Sequence, residues 1–250
     1  MGRGYSATGG RQANKNGSTA AISSPRLSGT ESFSEIQEFV ASNTGYKFDK
    51  SMEKCDREVL IANANKLAEL QAEYGDPNGG NLKPAIKYNG RLKTTMARVF
   101  EDSGVIEVGK DYSNASSLIR VANRCAFPRH IIDDSPASFW NLPANASREV
   151  VITYTLAHEL SHSYMTKKIK ELHNGHAAES SYSGEWNKVI KIARAKYGYK
   201  GTANTNCKYP TLYKKNSSDF SAEAFAEAMA GYMAGRRDAI SQAANDWLKN

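Results

Sequence analysis

The chain has 250 residues, enough for one sizeable domain with a tail, and its 13 Tyr, 8 Phe and 3 Trp exclude an intrinsically disordered protein. Its formal net charge of +7 comes from basic residues that are scattered apart from a few pairs, which favours solvated helix faces over a nucleic-acid groove. No apolar run of about 18 residues could span a bilayer and no secretion signal is visible, so the sequence predicts a cytoplasmic protein without a membrane partner.

Residues 1–30 differ from the rest of the chain. They are rich in Gly, Ser, Asn and Thr, and no acidic residue precedes Glu31. Four basic residues occur among them, namely Arg3, Arg11, Lys15 and Arg26. Such a segment cannot bury enough apolar surface to offset its chain entropy. The sequence therefore predicts a disordered basic arm at 1–30 and a single domain over 31–250.

Two helices are predicted directly after this arm. Ser32 and Glu35 have the spacing of a capping box, and apolar residues then recur at helical spacing, namely Phe33, Ile36 and Val40. A longer helix is predicted from about residue 51 to residue 74, where Gly75 stops it.

Short apolar segments separated by turn formers follow. The segments at 85–88, 105–108 and 130–132 predict strands, with Asn89 and Gly90 as one turn signal. The stretch at 92–100 is ambiguous between helix and strand. We expect these strands to form a small sheet beside the helix that carries the catalytic motif.

Four helices are predicted in the second half of the chain. In order, they run from Ser147 to about Leu172, from Ser183 to Gly198, from Ser217 or Ser218 through Met229, and through Ile240, Trp247 and Leu248. The fold class predicted from these elements is α+β and mostly helical. An odd number of widely spaced cysteines without a CxxC pair indicates reduced, buried thiols at Cys55, Cys125 and Cys207.

The strongest chemical signal is the motif His158-Glu-Leu-Ser-His162. Residues four apart in a helix lie one turn above each other, so both imidazoles can reach one metal ion. Glu159 lies about 100° around the helix from His158, beside the metal rather than on it. The motif therefore predicts zinc as cofactor, His158 and His162 as ligands, and Glu159 as the general base that takes a proton from water.

A catalytic zinc needs a third protein ligand. Glu223 and Glu227 lie one turn apart on a predicted helix whose Ala, Phe and Met residues indicate burial. A ligand and a second carboxylate that hydrogen-bonds a ligating His would explain two acids there, whereas an exposed acidic stripe is the alternative. The loop histidines His173 and His176 are the other candidates for the third ligand.

Three segments in this order resemble the catalytic domain of the anthrax lethal factor type. They are His158-Glu-Leu-Ser-His162, the helix opened by Ser183-Gly-Glu-Trp186, and Ala222-Glu-Ala-Phe-Ala-Glu-Ala-Met229. The resemblance covers about residues 147–235, and Ser161 stands where that family usually has Gly. That family is a gluzincin family. The resemblance implies a zincin-like fold with Glu223 as the third zinc ligand and Glu227 in the supporting position.

The same family places a Tyr just before the helix of the third ligand, where its hydroxyl stabilises the oxyanion that forms at the peptide carbonyl. Tyr209 and Tyr213 are available here, and neither stands at the family's usual offset. We favour Tyr213 for this catalytic role. Packing in the loop is the alternative for both residues.

The predicted function is that of a zinc-dependent endopeptidase in which water activated by zinc and Glu159 attacks a peptide bond. Its partner is a protein or peptide that lies extended along the edge strand of the small sheet. One alternative is a DNA-associated metalloprotease with His176 as third ligand, since the chain is basic. The other is a structural or interaction protein that keeps a zincin fold without turnover, for example in a virion. The Gly- and Arg-rich start followed by a zincin-like half resembles bacteriophage or mobile-element proteins.

Overall fold

The structure of the protein is a computed structural model that describes residues 24–80, 83–92, 96–100, 102–125, 140–143, 145–202, 204–207, 209–215 and 217–250. The α-helices in these ranges are α1 (Phe33–Asn43), α2 (Arg57–Tyr74), α3 (Ala115–Cys125), α4 (Arg148–Leu172), α5 (Glu179–Tyr197), α6 (Ser218–Met233) and α7 (Ala239–Lys249). The strands are β1 (Lys47–Phe48), β2 (Ala85–Tyr88), β3 (Ala97–Phe100) and β4 (Val105–Val108). The described residues are thus mostly helical with one small sheet, and the predicted α+β class is confirmed.

Helix α1 begins at the predicted capping box. The hydroxyl of Ser32 accepts a hydrogen bond from the Glu35 backbone N–H, and the Glu35 carboxylate accepts one from the Ser32 backbone N–H at 2.6 Å. Both bonds satisfy N–H groups that a helix start leaves without partners. The buried Ile36 and Val40 then fix α1 against the core.

Replacing Ser32 by alanine should lower the free energy of unfolding by about 1 kcal/mol, the usual effect of losing an N-cap hydroxyl. Urea unfolding of the purified protein measures the change. Ser34→Ala is the matched control, because Ser34 is exposed inside the same helix and alanine has the higher helix propensity. Equal losses for both variants would contradict a capping role for Ser32.

The start of the second predicted helix was wrong. Residues 50–54 form a 3₁₀ turn, because the Asp49 side chain accepts a hydrogen bond from the Ser51 backbone N–H. Cys55 is then extended, which interrupts the helical backbone, and α2 begins after Asp56. The predicted end is confirmed, since Gly75 closes α2 with a φ of 77°.

The sheet has the strand order β1-β2-β4-β3. β1 and β2 are parallel, β2 and β4 are parallel, and β3 is antiparallel to β4. The strands predicted at 85–88 and 105–108 are confirmed, and the ambiguous stretch contains β3. The strand predicted at 130–132 lies outside the described residues. β3 is an edge of the described sheet, and it packs against α4.

Two elements were missed by the sequence analysis. β1 has only two residues, too few for an alternating pattern to be recognised. Helix α3 begins after Asn114, whose side chain accepts a hydrogen bond from the Ser117 backbone N–H at 3.0 Å. Asn114 was therefore an available start signal for this helix.

Helices α4, α6 and α7 agree with the predictions, and Ser147 and Ser217 cap α4 and α6 as expected. Helix α5 was predicted to start at Ser183 but begins at Glu179. The hydroxyl of Ser183 accepts a hydrogen bond from Ser221 of α6 at 3.3 Å, so it joins two helices and caps neither. The predicted end at Gly198 is confirmed by its left-handed φ of 69°.

Helix α4 is central to the molecule. One side packs into a core shared with α1, α2 and the sheet through Ile152, Leu156, Leu160 and Tyr164. The other side packs into a core shared with α5, α6 and α7 through Met165 and Ile169. Because both sides of the helix are covered by apolar cores, its polar side chains are held in an interior site.

Residues 24–30 form a hydrogen bond and an ion pair with the rest of the domain. The Leu27 backbone N–H donates to Asn65 Oδ1 of α2 at 2.7 Å, and Arg26 pairs with Glu149 at 2.7 Å on the surface. The arm predicted at 1–30 is therefore corrected at its C-terminal end, because main-chain hydrogen bonding fixes a segment that composition alone assigns to disorder. Residues 1–23 lie outside the described residues.

Two further expectations concern the cysteines and the membrane. Cys55 and Cys207 are buried free thiols, as predicted, and the side chain of Cys125 lies outside the described part of the chain. In the ranges that the structure describes, no helix combines the length and the apolar character that a bilayer span requires.

Candidate metal centre

The predicted metal motif lies in the middle of α4. His158, Glu159 and His162 are all buried, with 8%, 7% and 7% of their surfaces exposed. Ser161, between them, is fully buried and satisfies its hydroxyl by donating to the Ala157 backbone carbonyl at 2.7 Å. Polar side chains are rarely buried without a partner, so their burial here requires an explanation from the residues opposite α4.

Helix α6 crosses α4 and supplies that partner. Oε2 of Glu223 lies 3.1 Å from Nε2 of His158 and 3.5 Å from Nε2 of His162. The two Nε2 atoms are 3.2 Å apart. The structure thus brings together the three residues predicted as metal ligands, and they are the only such group of three or more potential ligands in the described residues.

This arrangement fits a zinc ion. A tetrahedral zinc with ligand distances of about 2.0–2.1 Å sets its ligand atoms about 3.3 Å apart. The three distances of 3.1, 3.2 and 3.5 Å match that value. Two neutral imidazoles that point their acceptor nitrogens at each other from 3.2 Å would repel, unless a cation or a proton lies between them.

The charges of the site also favour a cation. Burial alone would lower the pKa of His158, but its contacts with the carboxylates of Glu223 and Glu227 outweigh burial and raise this pKa well above its usual range. Burial alone would raise the pKa of Glu223, but its hydrogen bonds to His158 and His162 hold this pKa well below its usual range. Two carboxylates therefore face one pair of imidazoles, and an additional positive charge is stabilised there.

Glu227, for which the resemblance implies a supporting position, lies next to His158. Its side chain is buried, and Oε1 lies 3.0 Å from Nδ1 of His158. The ring N–H is not well aligned on this oxygen, and Nδ1 has no other hydrogen-bond partner. Oε2 accepts hydrogen bonds from the Asn141 backbone N–H at 2.8 Å, from the Tyr154 hydroxyl at 2.7 Å and from the Cys207 thiol at 3.5 Å.

Glu159 projects from α4 towards β3. Burial raises the pKa of Glu159, and the neighbouring imidazoles and a hydrogen bond from the Val99 backbone oppose this shift only in part. A carboxylate with a raised pKa is a better proton acceptor near neutral pH than an exposed one. Its contact with Val99 places the predicted base between the candidate ligands and the sheet edge.

Both predicted tyrosines lie at the site. The ring of Tyr209 meets the ring of His158 edge-on, with centroids 5.9 Å apart, and the Tyr209 and Tyr213 hydroxyls are 3.4 Å apart. Burial and the negative charge of Glu223 raise the pKa values of both hydroxyls, so both stay protonated and can donate. The catalytic role of Tyr213 stays a prediction, because Tyr209 also lies against the candidate ligand His158.

The alternative ligand His176 is placed elsewhere. Helix α4 carries the chain about 15 Å along its axis from His162 to Leu172, and His176 follows in an exposed loop. The other loop histidine, His173, directs Nε2 to Glu185 of α5 at 3.0 Å. Neither residue belongs to the group of candidate ligand atoms found in the described part of the chain.

Three residues around Glu227 were not identified from the sequence, namely Asn141, Tyr154 and Cys207. Tyr154 stands four residues before His158 on α4, so the spacing of one helical turn was a usable signal. Asn141 and Cys207 lie in loops, where no periodicity indicates which way a side chain points.

Comparison of the chain with known proteins found no match to a family model, to a curated protein or to a solved structure.

Proposed function

We propose that this protein is a zinc-dependent endopeptidase. One observation carries the proposal: three ligand atoms from α4 and α6 lie at the mutual distances of a tetrahedral zinc site, with the buried Glu159 beside them. An HExxH helix with a third ligand from a later helix is the constellation of a hydrolytic metal site. Structural zinc sites more often use four protein ligands, whereas the three residues here leave a position for water.

The zincin-like character of the fold and its resemblance to the lethal factor type are part of this proposal. Two features support it. The helix with both histidines precedes the helix with Glu223, and the small sheet presents its antiparallel edge strand β3 to the histidine helix. In this proposal, Glu159, the candidate ligands and the edge strand β3 would all be within reach of one bound peptide.

In the proposed mechanism, different residues of the chain bind the metal, transfer the proton and stabilise the oxyanion. His158, His162 and Glu223 would hold zinc, which when bound acidifies water and polarises a carbonyl group. Glu159 accepts the proton of the attacking water and returns it to the amine nitrogen of the cleaved bond. A protonated tyrosine hydroxyl, from Tyr213 or Tyr209, donates a hydrogen bond to the developing oxyanion.

The substrate is expected to bind as an extended segment beside β3. An edge strand offers backbone groups for pairing with an added strand, which recognises a peptide with little regard to its side chains. Val99 in β3 contacts Glu159, so a peptide paired with this strand would pass the base. We therefore propose a protein or peptide substrate.

The two alternative functions differ in what they require. A DNA-associated metalloprotease with His176 as ligand requires a histidine that lies exposed beyond the end of α4. A non-catalytic protein with the same fold requires the same ligands but no turnover. The first is disfavoured by the position of His176, and the second is separated from an enzyme by an activity assay.

The zinc-loaded protein should cleave members of a random peptide library or a denatured protein, and mass spectrometry of the products measures the cleavage. A strong chelator should stop the reaction, because three ligands cannot hold the ion against an excess of competitor, and added zinc should restore it. Absence of cleavage in a preparation with one zinc per chain would support the non-catalytic alternative.

A further inference from the structure

The carboxylate of Glu227 accepts more hydrogen bonds than a contact with His158 alone would explain. Only 1% of this residue is exposed, yet it carries a carboxylate in a core lined by alanines. Oε2 receives its three donors from three separate parts of the chain: the loop at 140–143, helix α4 and the loop at 204–207. A carboxylate oxygen has room for about two strong hydrogen bonds, so Oε2 is saturated.

Because Oε2 is saturated, Oε1 is the carboxylate oxygen that remains available to His158. Oε1 lies 3.0 Å from Nδ1 of His158, without the alignment of a hydrogen bond, and that buried nitrogen makes no hydrogen bond to any described residue. Because Tyr154 and Asn141 fix one oxygen, the carboxylate plane cannot turn, and the second oxygen is held towards the imidazole. An acceptor at Nδ1 selects the tautomer whose Nε2 is free to bind a metal.

We infer that Tyr154 and Asn141 are positioning residues of the metal centre, which act through Glu227 to fix the tautomer and orientation of His158. The inference rests on the proposed zinc site and deepens it. Neither residue touches the candidate ligand atoms. Their effect is on how tightly the site holds a metal ion.

Asn141 also connects a loop to the site. Its backbone N–H donates to Glu227 Oε2, and its Nδ2 donates to the Glu227 backbone carbonyl at 3.3 Å and to the Ser241 hydroxyl of α7 at 2.9 Å. Its neighbour Trp140 stacks on the Tyr154 ring, with centroids 5.8 Å apart and planes 24° apart. These contacts attach the loop at 140–143 to α4, α6 and α7. The attachment point on α6 is Glu227, whose carboxylate lies next to His158.

Gly231 of α6 leaves the space in which Asn141 makes these contacts. A Cβ atom built on Gly231 of α6 would lie 2.0 Å from Asn141 Nδ2 and 2.9 Å from the Asn141 backbone oxygen. No larger residue therefore fits unless Asn141 moves. Gly231→Ala consequently disturbs the backbone donor of Asn141, which a side-chain substitution of Asn141 other than proline would leave in place.

The test compares two tyrosines of the same helix. Tyr154→Phe removes only the hydroxyl that donates to Glu227 and keeps the ring on which Trp140 stacks. Tyr164→Phe removes a buried hydroxyl that donates to the backbone carbonyls of Leu70 and Gly75, away from Glu227. Zinc affinity is measured for each variant by competition with a chromophoric chelator, and thermal unfolding measures stability.

Tyr154→Phe should weaken zinc affinity by about 10-fold or more, within the scale of about 10–100-fold for residues that orient a ligand. Gly231→Ala should weaken it in the same direction, while Tyr164→Phe should lower only the thermal midpoint. Unchanged zinc affinity in Tyr154→Phe would overturn the inference. Equal weakening in both tyrosine variants would also overturn it, since the effect would then be general destabilisation.

A measurement on the metal-free protein separates this inference from the proposed function. Imidazole ¹⁵N spectra should show a protonated Nδ1 on His158 whose signal shifts in Tyr154→Phe and stays unchanged in Tyr164→Phe. If the parent protein binds no zinc, the proposed metal centre fails, and these spectra alone decide whether Tyr154 positions His158. Spectra identical in all three proteins would then refute the positioning role as well.

Discussion

Replacing Glu223 by alanine should abolish stoichiometric zinc binding, to the same extent as replacing His162 by alanine. Each substitution leaves two protein donors where three lie 3.1–3.5 Å apart, and two donors cannot retain the ion against a chelator. Atomic emission analysis of dialysed protein measures zinc per chain. We expect about one zinc in the parent protein and almost none in either variant.

Three control substitutions sharpen this result. Glu227→Ala should weaken zinc affinity by about 10–100-fold without removing a ligand, because Glu227 acts through the His158 ring. Asp219→Ala removes an acid from the exposed first turn of α6 and should leave zinc binding unchanged. His176→Ala should also have no effect. Loss of zinc in His176→Ala, with retention in Glu223→Ala, would refute the gluzincin-like site.

Glu159→Gln should retain about one zinc per chain but lower the rate of peptide cleavage by at least about 10²-fold, the usual contribution of a positioned general base. Glutamine keeps the shape of the side chain and removes its ability to accept a proton. The carboxylate is buried beside the two histidines without lying among the three ligand atoms, so the metal should stay. Rates are compared at saturating zinc with the best substrate from the library.

The matched control for this prediction is Glu149→Gln. Glu149 lies in the exposed first turn of the same helix and pairs with Arg26 on the surface, so its replacement should leave cleavage unchanged. Parent-like cleavage by Glu159→Gln would show that another group removes the proton from water. Loss of zinc together with activity would show instead that Glu159 is a ligand.

Local signals sufficed for much of the fold. The capping box at Ser32 and the N-cap serines at 147 and 217 mark helix starts, because they satisfy backbone N–H groups within a few residues. The helix start predicted near residue 51 failed, since Asp49 caps a 3₁₀ turn there and the extended Cys55 interrupts the helix. The residue before the correct start is Asp56, whose carboxylate does not cap α2 but accepts hydrogen bonds from the Asn114 side chain and the Ala115 backbone N–H.

The sequence by itself determined that His158 and His162 share one face of a helix, because residues four apart lie one turn above each other, and it placed Glu159 next to them. It also placed Glu223 and Glu227 one turn apart. Only the tertiary structure decided that α6 crosses α4 so that Glu223 meets both imidazoles and Glu227 meets the opposite nitrogen of His158. The donors around Glu227 lie 20 to 86 residues away along the chain. Contacts at such separations depend on how whole helices pack, and no local periodicity encodes that packing.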